Sequence, residues 1–175
     1  MEEVNVAIII PPKNFKDETL SMLDLLLSKK DIKKVVASVS IKECTGYHGA
    51  VVRPDITFKE LDPSRASALI LADGPGVDSF KLYDYRPLLD IVKSFYDSKK
   101  MVVVIGNGIK IAARANVIRD TKVANVGKEE DNLVRLYRGV PTKSNLVLDK
   151  NVMTLSDSSR IGELVVRLSE ALGTA

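Results

Sequence analysis

The sequence has little of what several classes of protein require. It contains one cysteine, Cys44, in 175 residues, which excludes an internal disulfide framework and is typical of a reducing compartment. No apolar run approaches the ~20 residues that a membrane-spanning helix needs. The first residues also lack the basic and long apolar segments of a signal peptide. We therefore expect a cytoplasmic protein that has no membrane partner.

An excess of one charge is also missing. The chain has 26 basic and 23 acidic residues, with a formal net charge of +3, and its basic residues are dispersed in short pairs. Lys29-Lys30 and Lys99-Lys100 fall at predicted helix ends, where cations complement the helix dipole. This distribution is typical of a solvated surface and argues against a nucleic-acid partner.

The apolar content is sufficient for one sizeable core. Hydrophobic residues make up 45% of the chain, and its length is that of a single domain. No internal repeat, low-complexity stretch or linker divides the sequence. We therefore expect one domain over residues 1–175.

Apolar runs rich in valine and isoleucine alternate with helical patterns. Strands are predicted at 4–10, 34–40, 67–72, 101–105 and 122–125, with hairpins at 41–53 and 146–155. Helices are predicted at 15–29, 87–99, from 109 onward and at 158–172, while 129–137 forms either a short helix or an ordered loop. This alternation predicts an α/β fold with a mainly parallel central sheet and helices on both faces.

The stretch that organises the chain begins with the apolar run Met101 to Ile105, which predicts a strand buried on both faces. A Gly106-Asn107-Gly108 turn then leads into an apolar helical face. Strand, sharp turn and helix form a nucleophile elbow, in which one side chain points into a cleft. The residue at this elbow is Gly106, which has no side chain to offer.

Five segments carry a resemblance to a known family. They are Phe15-Lys16-Asp17-Glu18, Pro54-Asp55-Ile56-Thr57, Leu71-Ala72-Asp73-Gly74, Val104-Ile105-Gly106-Asn107-Gly108 and Asp149-Lys150-Asn151-Val152-Met153-Thr154. In order and spacing they resemble the PfpI-type proteins of the DJ-1 superfamily, relatives of class I glutamine amidotransferases, over the chain from Val4 to Leu172. The resemblance implies a flavodoxin-like three-layer sandwich and a homodimer or larger homo-oligomer.

The resemblance also implies what the site has lost. In that family the elbow residue is a reactive cysteine, a glutamate on the first helix hydrogen-bonds to it, and a histidine follows it in protease-like members. Backbone N–H groups there form an oxyanion pocket. Glu18 and Gly74 match the family pattern, but Gly106 and Asn107 stand at the cysteine and histidine positions, and Asp73 replaces a loop glycine.

These departures predict a catalytically degenerate protein. Acyl transfer needs a nucleophile, which glycine does not supply, and a carboxylate at Asp73 opposes stabilisation of a developing negative charge. We therefore expect no catalytic residue, cofactor or metal, and a homo-oligomer with a structural, regulatory or small-ligand-binding role. The candidate pocket for a small polar or cationic ligand comprises Glu18, Asp73, Gly74, Gly106, Asn107 and Arg53. Arg53, a ligand amine or a metal ion would be the cation that joins the two carboxylates.

Other interpretations remain open. The pocket is either such a ligand site or a water-filled relic, in which Glu18 caps its own helix and Asp73 caps the next segment. A PfpI-type hydrolase or amidase, or a glyoxalase- or deglycase-like enzyme, would need a non-standard group. Cys44 is interpreted as a small semi-buried hydrophobic residue and His48 as a surface turn residue. A nucleotide-binding module is the third alternative, although Gly106-x-Gly108 continues to Ile111 where Gly or Ala is expected.

Overall fold

The computed structural model describes residues 5–173; Val4, where the first predicted strand begins, lies outside them. The strands within this range are β1 (Asn5–Ile9), β2 (Lys13–Phe15), β3 (Lys33–Ser38), β4 (Cys44–Gly46), β5 (Val51–Val52), β6 (Ile56–Thr57), β7 (Ala68–Leu71), β8 (Met101–Ile105), β9 (Lys122–Val123), β10 (Val140–Pro141), β11 (Leu146–Asp149) and β12 (Val152–Leu155). The α-helices are α1 (Asp17–Lys29), α2 (Gly76–Ser79), α3 (Arg86–Asp97), α4 (Ile109–Arg114), α5 (Lys128–Leu136) and α6 (Ile161–Ala171).

A seven-stranded sheet forms the centre of the molecule, in the order β11-β12-β8-β7-β1-β3-β6. Neighbouring strands are parallel except for β11, which forms the antiparallel hairpin with β12. The predicted mainly parallel sheet is therefore confirmed. Two small sheets accompany it, one of β9 and β10 and one of β2, β4 and β5.

Side chains of each central strand alternate between two cores, as the strand period of two requires. In β7, Leu69 and Leu71 belong to the core under α3 and α4, whereas Ala68 and Ile70 belong to the core under α1 and α6. Both faces of the sheet are covered by helices, which is why the strands read as continuous apolar runs. Throughout the described range, no helix is long and apolar enough to cross a membrane.

The first helix begins later than its apolar pattern predicts. Phe15 is 1% exposed but lies in β2, and α1 starts at Asp17. Asn14 has a φ of +61°, a left-handed conformation that does not continue a helix. The stretch left open at 129–137 is helical, as α5.

The order of the strands determines where a site can form. From β1 the chain passes through α1 to β3 on one side, whereas β7 pairs with β1 on the other side. The carboxyl ends of β1 and β7 therefore flank a topological switch point, where open α/β sheets bind ligands. The loop after β8 lies next to them because β8 pairs with β7.

Candidate functional site

An open cleft of about 440 Å³ lies at this switch point. The loops after three neighbouring strands bring Lys16, Asp73, Gly74, Gly106 and Asn107 to its surface. The chain separates these residues by up to 91 positions, so only the parallel pairing of β1, β7 and β8 unites them.

Gly106 forms the bend directly after β8, at the elbow position that the strand–turn–helix pattern predicts. Its φ is +52°, in the left-handed region that costs glycine little and other residues more. A Cβ built at this position would lie 3.0 Å from the Asp73 Cβ and 3.2 Å from Asp73 Oδ2. The Asp73 side chain thus fills the space into which a side chain at the elbow would project.

The two oxygens of the Asp73 carboxyl group have different surroundings. Oδ1 accepts a 2.6 Å hydrogen bond from the Thr19 hydroxyl, and Thr19 is fully buried. Oδ2 lies 3.8 Å from Lys16 Nζ, an ion-pair separation that exceeds hydrogen-bond length. Asp73 itself is only 5% exposed, so one of its oxygens is satisfied by the fold and the other faces the cleft and the Lys16 ammonium.

Burial raises the pKa of the Asp73 carboxyl group, because the charged form is poorly solvated there. The Thr19 hydrogen bond and the Lys16 charge oppose this rise, and the charge of Glu18 adds weakly to it. Glu18 lines the cleft but is exposed. Within residues 5–173, its carboxylate takes part in no hydrogen bond or ion pair.

Asn107 is bound edge to edge with the backbone of Gly74. The Gly74 N–H donates to Asn107 Oδ1 at 3.0 Å, and Asn107 Nδ2 donates to the Gly74 carbonyl oxygen at 2.8 Å. Gly74 has a φ of +137°, and an added Cβ would lie 2.7 Å from the Lys16 backbone nitrogen. Only glycine fits this position, and its N–H is already engaged.

The relic interpretation predicts that Glu18 and Asp73 cap helix starts, but within residues 5–173 neither side chain forms a capping hydrogen bond. Lys16 is the N-cap residue of α1 and Pro75 that of α2, and neither helix start receives a side-chain capping hydrogen bond. The Asp73 side chain instead binds Thr19, in the first turn of α1. The two carboxyl groups therefore remain candidates for contact with a ligand.

Arg53 is the one candidate pocket residue that the structure places elsewhere. It lies 3.7 Å from Glu43, with its side chain 69% exposed, and does not line the cleft. The cation beside Asp73 is Lys16, whose Nζ approaches to 3.8 Å. Arg53 follows β5, and the pairing of β4 with β5 brings it towards the start of β4 and away from the switch point.

Sequence reasoning also missed the walls of the cleft. Tyr47 and His48, from the turn between β4 and β5, line one side, and Glu130 of α5 and Ser156 line others. His48 is an exposed turn residue, as interpreted, but this turn borders the cleft. No local pattern could identify these residues, because tertiary packing alone brings them to the cleft.

Two other residues singled out by their type have structural explanations. Cys44 is 1% exposed within the core under α1, its Sγ donates to the Lys42 carbonyl oxygen at 3.7 Å, and burial raises the pKa of its thiol. A Cβ at Gly108 would lie 2.7 Å from the Leu71 carbonyl oxygen, so this glycine permits β7 to approach closely. The Gly106-x-Gly108 spacing is thus accounted for by a bend and a close approach.

The cleft carries more negative than positive groups. Glu18, Asp73 and Glu130 supply three carboxyl groups, against the single ammonium of Lys16 and the imidazole of His48. In the described part of the chain, no group of three or more His, Cys, Asp or Glu side chains is arranged to hold a metal ion. The arrangement suits a ligand that donates hydrogen bonds or carries positive charge.

Comparison with known proteins identifies relatives over most of the chain. The model of the DJ-1/PfpI family matches residues 4–171. An uncharacterised protein of Methanocaldococcus jannaschii is 27% identical over 156 residues, which cover 88% of this chain and 75% of that protein. A deglycase of Pyrococcus abyssi is 26% identical over 127 residues, which cover 73% of this chain and 75% of that protein.

Solved structures share the fold. The ThiJ/PfpI domain protein of Brachyspira murdochii superposes with a TM-score of 0.92 at 22% identity, covering 100% of this chain and 99% of that one. Drosophila melanogaster DJ-1beta superposes with a TM-score of 0.86 at 18% identity, covering 100% and 92% of the two chains. At these identities the likeness concerns the fold, a flavodoxin-like α/β sandwich.

Proposed function

The chain belongs to the DJ-1/PfpI family, and we propose that it is a member without covalent cysteine chemistry, which binds a small polar or cationic ligand in the cleft beside Gly106. In this proposal, Gly106 stands at the position of the family's elbow cysteine. The protein then acts through binding or assembly, and the family's acid, Glu18, has no thiol to contact.

The observation that carries this proposal is the position of the Asp73 carboxyl group. It lies against Gly106, with Oδ2 3.2 Å from where a Cβ would stand. A nucleophile at residue 106 would meet this group, and a carboxylate there would repel the anion that forms during acyl transfer. The aspartate at residue 73 therefore opposes acyl transfer, the same reaction for which the glycine at residue 106 supplies no nucleophile.

The state of Gly74 supports the same conclusion. An oxyanion pocket requires free N–H donors aimed at the developing charge. Here the Gly74 N–H donates to Asn107 Oδ1 at 3.0 Å, so a substrate oxygen would have to displace the Asn107 side chain. In the cleft, the Gly74 N–H is thus already engaged, whereas the carboxyl groups of Glu18 and Asp73 are available to a ligand.

Activity assays test the proposal directly. Purified protein is assayed for dismutation of α-oxoaldehydes, deglycation of glycated amino acids and hydrolysis of peptide amides, with the Pyrococcus abyssi deglycase assayed in parallel. We expect no turnover above the buffer rate. Turnover that disappears in Glu18→Ala or Asp73→Asn would overturn the proposal and favour the second candidate, an enzyme that uses a non-standard group.

That second candidate is favoured by the relatives, since the Pyrococcus abyssi protein and a Thermococcus kodakarensis protein, 32% identical over half of this chain, are named deglycases. Such chemistry here would have to use a group that lines the cleft, because Cys44 is buried in the core and does not line it. The absence of a side chain at Gly106 makes a binding role the better-supported candidate.

We also propose that the protein functions as a homodimer or larger homo-oligomer. Met22 and Leu25 expose 39% and 50% of their surface on α1, and Val51 exposes 61% on the neighbouring hairpin. Exposed apolar side chains of this size are typical of contact surfaces when they form a patch. Light scattering on a sizing column should give at least twice the 19.2 kDa chain mass; a monomer at all concentrations would contradict this.

A further inference from the structure

We propose that the cleft binds a primary alkylammonium group and that Asp73 Oδ2 is the acceptor for it. The inference rests on the proposed function, because it names the chemical class of ligand for the same cleft. It follows from the unequal surroundings of the two Asp73 oxygens, from the engaged donor at Gly74 and from the position of Lys16.

The floor of the cleft presents a carboxylate oxygen to which no other residue of the described range donates a hydrogen bond. Asp73 is 5% exposed, and its Oδ1 is occupied by the Thr19 hydroxyl. No other residue within 5–173 donates a hydrogen bond to Oδ2, which borders the cleft beside Gly106 and has Lys16 Nζ at 3.8 Å. A carboxylate oxygen at the edge of a cleft, on a side chain that is otherwise buried, gains from a charged N–H donor.

The same floor disfavours anions and carbonyl compounds. One backbone donor that could receive them, the Gly74 N–H, is engaged with Asn107. Glu18 and Glu130 add negative charge at the walls, which concentrates cations in a cleft and repels anions. Val126 and the exposed ring of Tyr47 offer apolar surface for a short alkyl chain.

Lys16 interacts only weakly with Asp73 Oδ2. Its Nζ lies 3.8 Å from Oδ2, and its side chain is 34% exposed, so it can turn towards water without burying its charge. A ligand ammonium would take the shorter, hydrogen-bonded position beside Oδ2. Removal of the Lys16 charge should therefore strengthen ligand binding, whereas removal of the Asp73 charge should weaken it.

Three probes of one size test the charge that the cleft selects. Isothermal titration of the wild-type protein with propylammonium chloride, 1-propanol and sodium propionate is carried out at ~pH 8, where alkylamines remain protonated, and at matched ionic strength. We expect heat of binding for propylammonium and none for the alcohol or the carboxylate.

Variants identify the acceptor. Asp73→Asn keeps the size and the Thr19 acceptor but loses the charge, and we expect propylammonium to bind at least about tenfold more weakly. Lys16→Met should bind it more tightly than the wild type. Asp97→Asn, which removes an exposed carboxylate paired with Lys93 on α3, should bind as the wild type does. Circular dichroism verifies that each variant is folded.

Propionate binding, unchanged affinity in Asp73→Asn, or weaker affinity in Lys16→Met would each overturn the ammonium assignment. If Asp73→Asn does not fold, the Lys16→Met titration and the three-probe comparison still decide the matter. The same samples are assayed for turnover, because turnover would overturn the proposed function, whereas selective propionate binding would overturn only the class of ligand.

Discussion

At the scale of single residues, Gly106 and Asp73 act as a pair. The positive φ of Gly106 is one that a cysteine would adopt only at a cost of about 1–2 kcal/mol. The Asp73 side chain occupies the space that a side chain at residue 106 would enter. A cysteine introduced at residue 106 alone would therefore meet both the strained backbone and the Asp73 side chain.

This pairing predicts how a thiol at the elbow would behave. In a Cys44→Ala background, Gly106→Cys places a thiol against the Asp73 carboxylate, which raises the pKa of that thiol and crowds its Cβ. The double variant Gly106→Cys/Asp73→Gly removes both effects. We expect iodoacetamide to alkylate the double variant about tenfold faster or more at ~pH 7, since thiolate is the reactive form.

The control Gly106→Cys/Asp73→Asn separates charge from size. It keeps a side chain of the same shape over the elbow but removes the carboxylate, so its alkylation rate should lie between those of the other two. Equal alkylation rates in Gly106→Cys and Gly106→Cys/Asp73→Gly would contradict the pairing.

Asp73 also makes stability depend on pH. Because burial raises its pKa above the ordinary 3.8, the folded state holds the proton more tightly than the unfolded state. The folded protein is therefore destabilised as pH rises from 3.8 through the folded pKa. Asp73→Asn lacks this titration and keeps an acceptor for Thr19, so its stability relative to the wild type should rise across this interval in urea unfolding curves.

Asp62, whose pKa is shifted in the opposite direction, serves as the control. Hydrogen bonds from the Ser64 backbone and hydroxyl lower the pKa of Asp62, so Asp62 stabilises the fold above pH 3.8 and loses this effect as pH falls through its folded pKa. Asp62→Asn should therefore lose stability relative to the wild type as pH rises. Parallel curves for wild type and Asp73→Asn would argue that Asp73 titrates normally.

At the scale of secondary-structure elements, the turn between β4 and β5 is a wall of the cleft that α1 holds in place. The N–H groups of His48 and Ala50 donate to the two oxygens of Asp17, each at 2.8 Å. Although partial burial opposes it, these bonds lower the pKa of Asp17. A Cβ at Gly46 would lie 2.5 Å from the same carboxyl group, so glycine is needed there for the approach.

Loss of this carboxylate should loosen the turn. Asp17→Ala leaves two backbone donors without their acceptor, and we expect it to lower the free energy of unfolding by about 1–3 kcal/mol. Hydrogen exchange at the His48 and Ala50 amides should accelerate most. Asp24→Ala, on the same helix, removes an exposed partner of Lys34 and should cost less than about 1 kcal/mol; equal effects would show that the Asp17 bonds are unimportant.

The elements differ in how far the sequence could predict them. The strands β1, β7 and β8 are buried on both faces, so each is a continuous apolar run that can be recognised from the sequence alone. By contrast, β2 pairs with β4 at only two positions, so its formation depends on a partner about 30 residues further along the chain. The loops that carry Asp73 and Gly106 were predictable because they follow strands with clear apolar patterns. The sequence did not predict that Lys16, and not Arg53, is the cation beside Asp73.

At the scale of the whole molecule, two apolar cores share one sheet. Cys44 belongs to the core under α1 and α6, whereas Leu69 of the central strand β7 belongs to the opposite core. Both side chains are almost fully buried, at 1% and 0% exposure. Because they lie on opposite faces, the reactivity of Cys44 shows whether the fold opens as one unit.

We expect Cys44 in the native protein to react with iodoacetamide ~10³-fold more slowly than in urea-unfolded protein, because burial requires the fold to open first and also raises the pKa of the thiol. Leu69→Ala should lower the free energy of unfolding by about 2–5 kcal/mol and accelerate alkylation of Cys44, as followed by mass spectrometry. Leu136→Ala, at a position 74% exposed, should leave the rate unchanged. Acceleration in Asp17→Ala but not in Leu69→Ala would show instead that the β4–β5 hairpin opens by itself, and that the wall of the cleft is separate from the cooperative core.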